Sequence, residues 1–437
     1  MISLLPLAIS CLNGYLLLRL LLKDLYCARD PLLLAMSGPA GLGISGIVTF
    51  ASLLMAGRLL PGLVIALHLG LAAVLTWSVL RMKKTTITEK APQVPAPITA
   101  GLGLLVLPTA FFAWLYPYGG WDAWSLWNLK ARFLFLGGEN WTGMFAPVMN
   151  SHHPSYPILL PLITAWHWCW GTGADHLTPR VLTCAITLMA LGLLFSAIRR
   201  RTGDLLALIM TGWLGTLPFF VQMAGSQYAD IWVGTFFLLA AVSLLEFLRT
   251  KTPRLLIVTG AALAFMGFTK LDGILLGAIT LIIGLYALRA IKPAGTLPAL
   301  LLSFGAFSLP TIVWLLFFVP HGQDSFINGL TSTTHPVTLL RFFQVLIPSF
   351  GEIVSLKWHG LWPLLLIAGP FLVWKRGRTA AIILSAMGTY LITVVLFYWI
   401  NTHDPAIWWV TTSFHRILFS FTPAAILALS LFFEPSK

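Results

Sequence analysis

The sequence predicts an all-α polytopic membrane protein with about 13 transmembrane helices. Of its 437 residues, 58% are hydrophobic and only 9% are charged, whereas a soluble domain carries about 25% charged residues. Each predicted helix is a mostly apolar stretch of roughly 20 residues, enough to cross about 30 Å of hydrocarbon. These stretches begin near residues 2, 31, 59, 98, 177, 204, 231, 254, 273, 298, 360, 379 and 415.

The net charge of +13 falls on one predicted face of the membrane. If the stretches alternate in direction, the loops of that face hold 19 of the 27 Lys and Arg residues but only six of the 14 acids. The positive-inside rule assigns this face to the cytoplasm. The basic loops therefore set the topology, which argues against nucleic-acid binding. Low charge and the lack of a eukaryotic retention signal favour a bacterial inner membrane.

The predicted organisation is a short N-terminal unit, a linker and a larger core with two long outer loops. The three N-terminal helices occupy residues 1–81, the cytoplasmic linker 82–97 and the larger transmembrane core 98–437, with outer loops at 117–175 and 320–359. In the second loop, Val337–Ile347 has an amphipathic pattern, with Arg341 and Gln344 on its polar side. Nine of the ten histidines lie at the outer side, whereas His68 lies within a span. The working surface is therefore expected to face the periplasm or exterior.

The first outer loop is expected to contain two helices. The segment Trp121–Leu136 has a helical pattern that places Trp124 and Trp127 on one face, and a pair of glycines follows it. The apolar segment from Tyr156 to Trp170 is interrupted by prolines and His167. Its aromatic side chains predict a helix lying in the membrane interface.

Two acids, Asp122 and Asp230, are candidate catalytic residues at outer helix boundaries. Asp122 follows two glycines that allow a sharp turn, and a carboxylate there could act as a general base, a metal ligand or an ion-pair partner. Asp230 lies in a long apolar neighbourhood, where acids are costly and tend to be functional. Each could instead be a helix N-cap. If the protein binds a divalent cation, these two acids are the expected ligands.

Cations in the first loop are candidates for binding a lipid phosphate. Arg132 offers a bidentate fork and Lys130 a point charge, although both could simply extend towards the interface. The following His152-His153-Pro154-Ser155-Tyr156 segment could donate hydrogen bonds to a phosphate or sugar, or serve as a structural turn.

Two later outer turns add further cations. Lys270 could neutralise a lipid phosphate, or could pair locally with Asp272 to close a tight turn. Arg416 enters the last span from the outer side, where an arginine is expected to have an anionic partner. That partner could be Asp404 or a substrate phosphate.

In order and sidedness, these motifs resemble the polyprenyl-phosphate-dependent GT-C glycosyltransferases, within them the branch of protein mannosyltransferases and lipid A aminoarabinose transferases (glycosyltransferase family 39). The resemblance covers roughly residues 98–433. Asp122 matches the first-loop acid of the family, His153-Pro154-Ser155-Tyr156 its proline- and tyrosine-containing turn, Asp230 its second acid, and Thr269-Lys270 its lysine turn. The chain departs from the family in its three preceding helices and in its His152-His153 pair.

The resemblance implies a GT-C-like core and an inverting transfer of a sugar from a polyprenyl phosphate or diphosphate to a lipid, glycan or protein acceptor. Asp122 would be the general base, and Asp230 would orient its partners or the sugar hydroxyls. Lys270 and Arg416 would hold the leaving phosphate, with Lys130 and Arg132 in reserve. No cofactor is assigned from the sequence, and a divalent cation is left open as an alternative.

Two other classes of protein fit the composition. A secondary transporter or lipid flippase would carry polar groups near the bilayer midplane on broken helices, whereas here only His68 is clearly deep. An O-antigen ligase or polymerase would also act on polyprenyl lipids. Transfer of a labelled sugar, or uptake without transfer, separates these alternatives.

Overall fold

The computed structural model describes residues 4–82, 93–289, 295–320 and 336–435. This part of the chain is helical and contains no β-strand. Its α-helices are α1 Leu5–Leu21, α2 Pro31–Ala56, α3 Pro61–Leu80, α4 Ala96–Leu104, α5 Leu107–Leu115, α6 Asn128–Leu136, α7 Leu159–Trp168, α8 Leu177–Thr202, α9 Asp204–Thr216, α10 Pro218–Gly225, α11 Asp230–Thr250, α12 Arg254–Thr269, α13 Leu271–Leu288, α14 Thr296–Val313, α15 Leu339–Ile353, α16 Leu361–Arg376, α17 Arg378–Ile400, α18 Ala406–Trp409 and α19 His415–Ser430.

Membrane spans are the dominant feature of the described residues. Nine helical segments there are long and apolar enough to cross a bilayer, or ten if α9 and α10 form one span bent by 63°. Helices α1 and α12 are apolar but shorter, at 17 and 16 residues. An integral membrane protein is therefore confirmed, while the number thirteen stays a prediction.

Charged residues gather at two opposite ends of the bundle. At the basic end, Arg200 lies 2.9 Å from Asp30, and Arg201 lies 3.1 Å from Glu434. Helix α11 begins with Asp230 at the other end and runs 21 residues, a length of about 32 Å. The structure thus separates the basic loops from the predicted outer acids. The assignment of the basic end to the cytoplasm stays a prediction.

The three N-terminal helices pack directly on the first outer loop. The Trp166 indole of α7 stacks on His68, with ring centroids 3.7 Å apart, and donates to the Ser10 hydroxyl at 3.2 Å. At Gly46 of α2, a Cβ would come within 2.1 Å of the terminal methyl of Leu159, so a larger residue there would require the Leu159 side chain to move. Most of the predicted linker, residues 83–92, lies outside the described residues.

The first predicted loop helix is present, but its register differs from the prediction. It opens with a π-helical turn, Ala123–Trp127, before α6 begins. The wider π turn rotates Trp124 away from Trp127, so that Trp124 is 49% exposed and Trp127 only 1%. The prediction that these two residues share a face is therefore wrong.

The second helix of this loop is also present, but it does not lie in the interface. All ten residues of α7 are buried, because the helix is enclosed between the N-terminal helices and α6. Its aromatic side chains therefore fill the core of the bundle instead of anchoring a surface helix.

The predicted amphipathic helix of the second loop is α15, and residues 321–335 of that loop lie outside the described residues. Gln344 is exposed as expected, but Arg341 is buried. Its guanidinium donates to the carbonyls of Trp399 at 3.0 Å, Tyr398 at 3.1 Å and Asp404 at 3.0 Å, and also to Asn401. Arg341 thereby supplies donors to the carbonyls at the end of α17 that lack helical partners.

Candidate functional site

Asp122 is held in place by two turns that dock on each other. The N–H of Gly120 donates to the carbonyl of Ser226 at 3.0 Å. Gly119 has φ +73°, a left-handed conformation that glycine adopts without strain. A Cβ on Gly120 would lie 2.4 Å from the Tyr228 hydroxyl. The two glycines therefore bring Asp122 against the turn that precedes α11.

Five charged side chains from four separate segments meet at this point, and we call them the ion-pair cluster. Arg416 Nη2 lies 2.5 Å from Asp122 Oδ2 and 2.7 Å from Asp230 Oδ2, and its Nε lies 3.3 Å from the same Asp230 oxygen. Lys270 Nζ lies 3.1 Å from Asp230 Oδ1 and 2.7 Å from Asp272 Oδ2. The four residues expected from separate outer turns are thus brought together, with Asp272 as a fifth member.

The N-cap alternatives are wrong for both acids. Asp122 precedes the π turn with helical dihedral angles and makes no side-chain capping hydrogen bond. Asp230 is the first residue within α11, and the cap position before it is Ala229. Both carboxylates instead form ion pairs with Arg416.

The partner of Arg416 is now assigned. Of the two sequence-based options, Asp404 lies by Arg341, to which its backbone carbonyl accepts a hydrogen bond, and it makes no ion pair with Arg416 within the described residues. Arg416 instead bridges the two acids and lies over the Tyr228 ring, 4.6 Å from its centroid. Lys270 makes the expected local pair with Asp272 as well as its longer-range pair with Asp230.

Burial makes the charged groups of this cluster depend on one another. Asp230 is 1% exposed and Lys270 is 7% exposed, and buried ions are strongly destabilising unless paired. Burial alone would lower the pKa of Lys270, but Asp230 and Asp272 raise it above its usual value, so the ammonium stays charged. Burial and the nearby Asp122 carboxylate raise the pKa of the Tyr228 phenol.

Two atoms of the cluster remain available for a ligand. Within the described residues, Asp122 Oδ1 and Arg416 Nη1 have no hydrogen-bond partner, although the other oxygen of Asp122 and two other nitrogens of Arg416 do. The Asp122 and Arg416 side chains are 14% and 13% exposed. The cluster therefore presents an unoccupied acceptor and an unoccupied donor on side chains that already touch each other.

The geometry does not fit a cation shared by Asp122 and Asp230. The Arg416 guanidinium lies between the two carboxylates, in contact with one oxygen of each. A positive group thus already fills the position that such an ion would need. In the described part of the chain, no group of three or more His, Cys, Asp or Glu side chains has the arrangement of a metal site.

Lys130 and Arg132 do not join the ion-pair cluster. Lys130 Nζ donates to the backbone carbonyls of His153 at 2.6 Å and Tyr156 at 3.2 Å. Burial lowers the pKa of Lys130 well below its usual value. Arg132 donates instead to His176, 3.1 Å away. Lys130 therefore binds backbone of the histidine segment and Arg132 contacts His176, so the structure brings neither of them into the ion-pair cluster.

The histidine segment forms a turn next to Asp122. The His152 ring stacks on Trp121, with centroids 6.4 Å apart, and its Nδ1 lies 3.1 Å from the Ser125 carbonyl. His153 adopts φ +44° and stacks on Tyr156 at 4.9 Å. These contacts fit the structural alternative for His153 and Tyr156. Of the residues in this segment, His152 is the one that stacks on Trp121, directly before Asp122.

Sequence reasoning missed a group of residues beside Arg416. The ring centroids of Phe219 and His415 lie 5.5 Å apart. Lys357 Nζ lies over the Phe219 ring, 4.4 Å from its centroid. Lys357 also pairs with Glu352 at 2.7 Å. The signal was faint, because Lys357 follows α15 in the second outer loop and nothing in its neighbours indicates that it reaches α10.

Comparisons with known proteins add no relative: no protein-family model, no curated protein and no solved structure matches the chain.

Proposed function

We propose that the protein is a membrane glycosyltransferase that moves a sugar from a polyprenyl phosphate or diphosphate to an acceptor at the outer membrane surface. The observation that supports this proposal most is the pairing of Asp122 with Arg416, each with one atom left open. An acceptor hydroxyl requires a base, and a departing phosphate requires a cation. The cluster contains both groups in direct contact, with Asp122 as the base and Arg416 as the cation.

The proposed step is a single displacement at the anomeric carbon. The acceptor oxygen forms a bond to that carbon while the bond from the carbon to the phosphate oxygen breaks, which inverts the configuration. The proton of the acceptor hydroxyl passes to Asp122 Oδ1. The electron pair of the broken bond stays on the polyprenyl phosphate, whose added charge is stabilised by Arg416 Nη1.

Other residues of the cluster have positioning roles in this proposal. Asp230 binds both Arg416 and Lys270, so it fixes the orientation of the guanidinium. Lys270 is engaged by two carboxylates, which favours a role in neutralising Asp230 over direct contact with the phosphate. Trp121 and His152, which stack on each other beside Asp122, are candidates for contact with the sugar.

The test is sugar transfer by the purified protein in liposomes that contain radiolabelled polyprenyl-phosphate sugars and a membrane extract. Asp122→Asn keeps the size of the side chain and is expected to abolish transfer without loss of folded protein, because an amide cannot accept the proton. Asp404→Asn is the matched control on the same face, since the hydrogen bond between Asp404 and Arg341 uses the backbone carbonyl of Asp404, which this change leaves in place. Normal transfer by Asp122→Asn would eliminate Asp122 as the base.

A secondary transporter is the second candidate, favoured by one observation. Helices α9 and α10 form a pair bent by 63° next to the cluster, and broken helices are typical of transporter binding sites. Uptake of substrate into the liposomes, without any transfer of label to an acceptor, would favour this class and reject the transferase.

A further inference from the structure

A second charged site lies at the basic end of the bundle, away from the ion-pair cluster. A cavity of about 430 Å³ opens there between the last turns of α13 and the first turns of α17. Arg289 and Arg378 line it, together with Tyr286, Ile382 and Ser385. Its volume lies within the range of about 300–1,000 Å³ that small-ligand pockets occupy.

Neither arginine of this cavity is neutralised within the described residues. Arg289 lies over the Tyr286 ring, 3.9 Å from its centroid, and no carboxylate is within ion-pair distance of Arg289 or Arg378 there. Two other cations at this end, Lys375 and Arg376, do have partners: they donate to the carbonyls of Phe432 at 3.0 Å and Leu431 at 2.7 Å. The positive charge of the cavity is therefore available to an anion.

The location of Arg378 strengthens this argument. It is the first residue of α17, and no side chain caps that end of the helix. A cation at a helix N-terminus is opposed by the helix dipole, whereas an anion there is stabilised by it and by the free N–H groups. A phosphate between Arg378 and Arg289 would satisfy the helix end and both guanidinium groups.

The surroundings indicate that the anion belongs to a lipid. Helix α13 has 18 apolar-rich residues from the cluster to this cavity, a rise of about 27 Å, so the two arginines lie at the opposite membrane edge. The cavity is open, and Ile283 and Ile382 contribute apolar walls. Basic pockets between transmembrane helices at this depth suit anionic headgroups.

We propose that the Arg289–Arg378 cavity binds the headgroup phosphate of an anionic phospholipid, with the acyl chains lying against α13 and α17. The two guanidinium groups bind the phosphate, and no acid in the cavity lining is present to receive the ammonium of a zwitterionic headgroup. This site is separate from the proposed transferase chemistry and does not depend on it.

The test is native mass spectrometry of the whole protein released from nanodiscs of phosphatidylcholine with a minor fraction of phosphatidylglycerol. The wild-type protein is expected to retain phosphatidylglycerol in preference to phosphatidylcholine. Each of Arg289→Gln and Arg378→Gln should weaken retention about fivefold, as expected for one basic residue near an anionic lipid, and Arg378→Lys should restore part of it. Lys251→Gln removes the same charge from an exposed position at the same end and should change nothing.

Three outcomes would overturn the proposal. Unchanged retention in the Arg289→Gln, Arg378→Gln double variant would exclude the cavity as the site. Equal retention of phosphatidylcholine would exclude selection for an anionic lipid. Displacement of the lipid by inorganic phosphate alone would show a site for a free anion. Because both arginines are exposed, the variants are expected to fold, and their monodisperse elution verifies this.

Discussion

Replacement of Arg416 by glutamine is the sharpest test of the ion-pair cluster. In the wild-type protein three acids face two cations; in Arg416→Gln the same three face only Lys270. Each lost pair contributes about 4 kcal/mol of attraction at a charge separation near 4 Å and an effective dielectric constant near 20. Part of this loss is offset because a buried guanidinium no longer has to be desolvated. The net expected destabilisation is about 3–5 kcal/mol.

The measurement is the free energy of unfolding in mixed micelles titrated with sodium dodecyl sulfate. Arg132→Gln is the matched control, since that arginine binds His176 and has no acidic partner within the described residues; its effect should stay below about 1 kcal/mol. Adding Asp230→Asn to Arg416→Gln should recover about 1–3 kcal/mol, because it removes one uncompensated charge. Equal effects of the two arginine variants, or strict additivity with Asp230→Asn, would refute the charge-balance argument.

Three further predictions concern residues that stabilise the fold. Lys130→Met should weaken the rise of stability with pH in alkaline unfolding titrations. The unfolded chain keeps the Lys130 proton up to its usual pKa, whereas the buried amine releases it at lower pH, so wild-type stability rises relative to that of the variant as the pH approaches about 10. Arg341→Gln should cost about 1.5–3 kcal/mol or more in the same unfolding assay, because several carbonyls lose a charged donor; an effect near zero would show that water replaces it. Gly120→Ala should lower the unfolding temperature, at a cost of about 1–3 kcal/mol, because its Cβ meets the Tyr228 hydroxyl, whereas Gly173→Ala has open space around it and should be neutral.

Positions of helices were largely predictable, because hydropathy and breaker residues act locally. A described helix begins within a few residues of each predicted stretch. Four of these helices, α1, α12, α16 and α19, have only 16 or 17 residues, and α4 and α9 have 9 and 13. Asp122 and Arg416 were expected on one surface because loops of one face converge. Their direct contact was not predictable, since it depends on how the turn at Gly119 docks on the turn at Ser226.

The sequence-based predictions failed mainly for charged side chains that are buried. Lys130 and Arg341 look like surface cations, because sequence reveals their charge but not the backbone carbonyls that need donors. The π turn at Ala123–Trp127 adds to the difficulty, since a helical wheel drawn with 3.6 residues per turn places every following side chain at the wrong angle. Such contacts are properties of the tertiary packing.

The packing of α7 against the N-terminal helices has a consequence for how the protein is made. A ribosome delivers α1–α3 to the membrane well before α7 is synthesised, since domains form from the N-terminus. During that interval the hydroxyls of Ser10 and Ser45 can satisfy each other, as they do at 2.7 Å in the finished bundle, while the ring of His68 awaits Trp166. The first three helices thus form a surface on which later helices can pack, and α7 is the segment that joins the rest of the core to that surface.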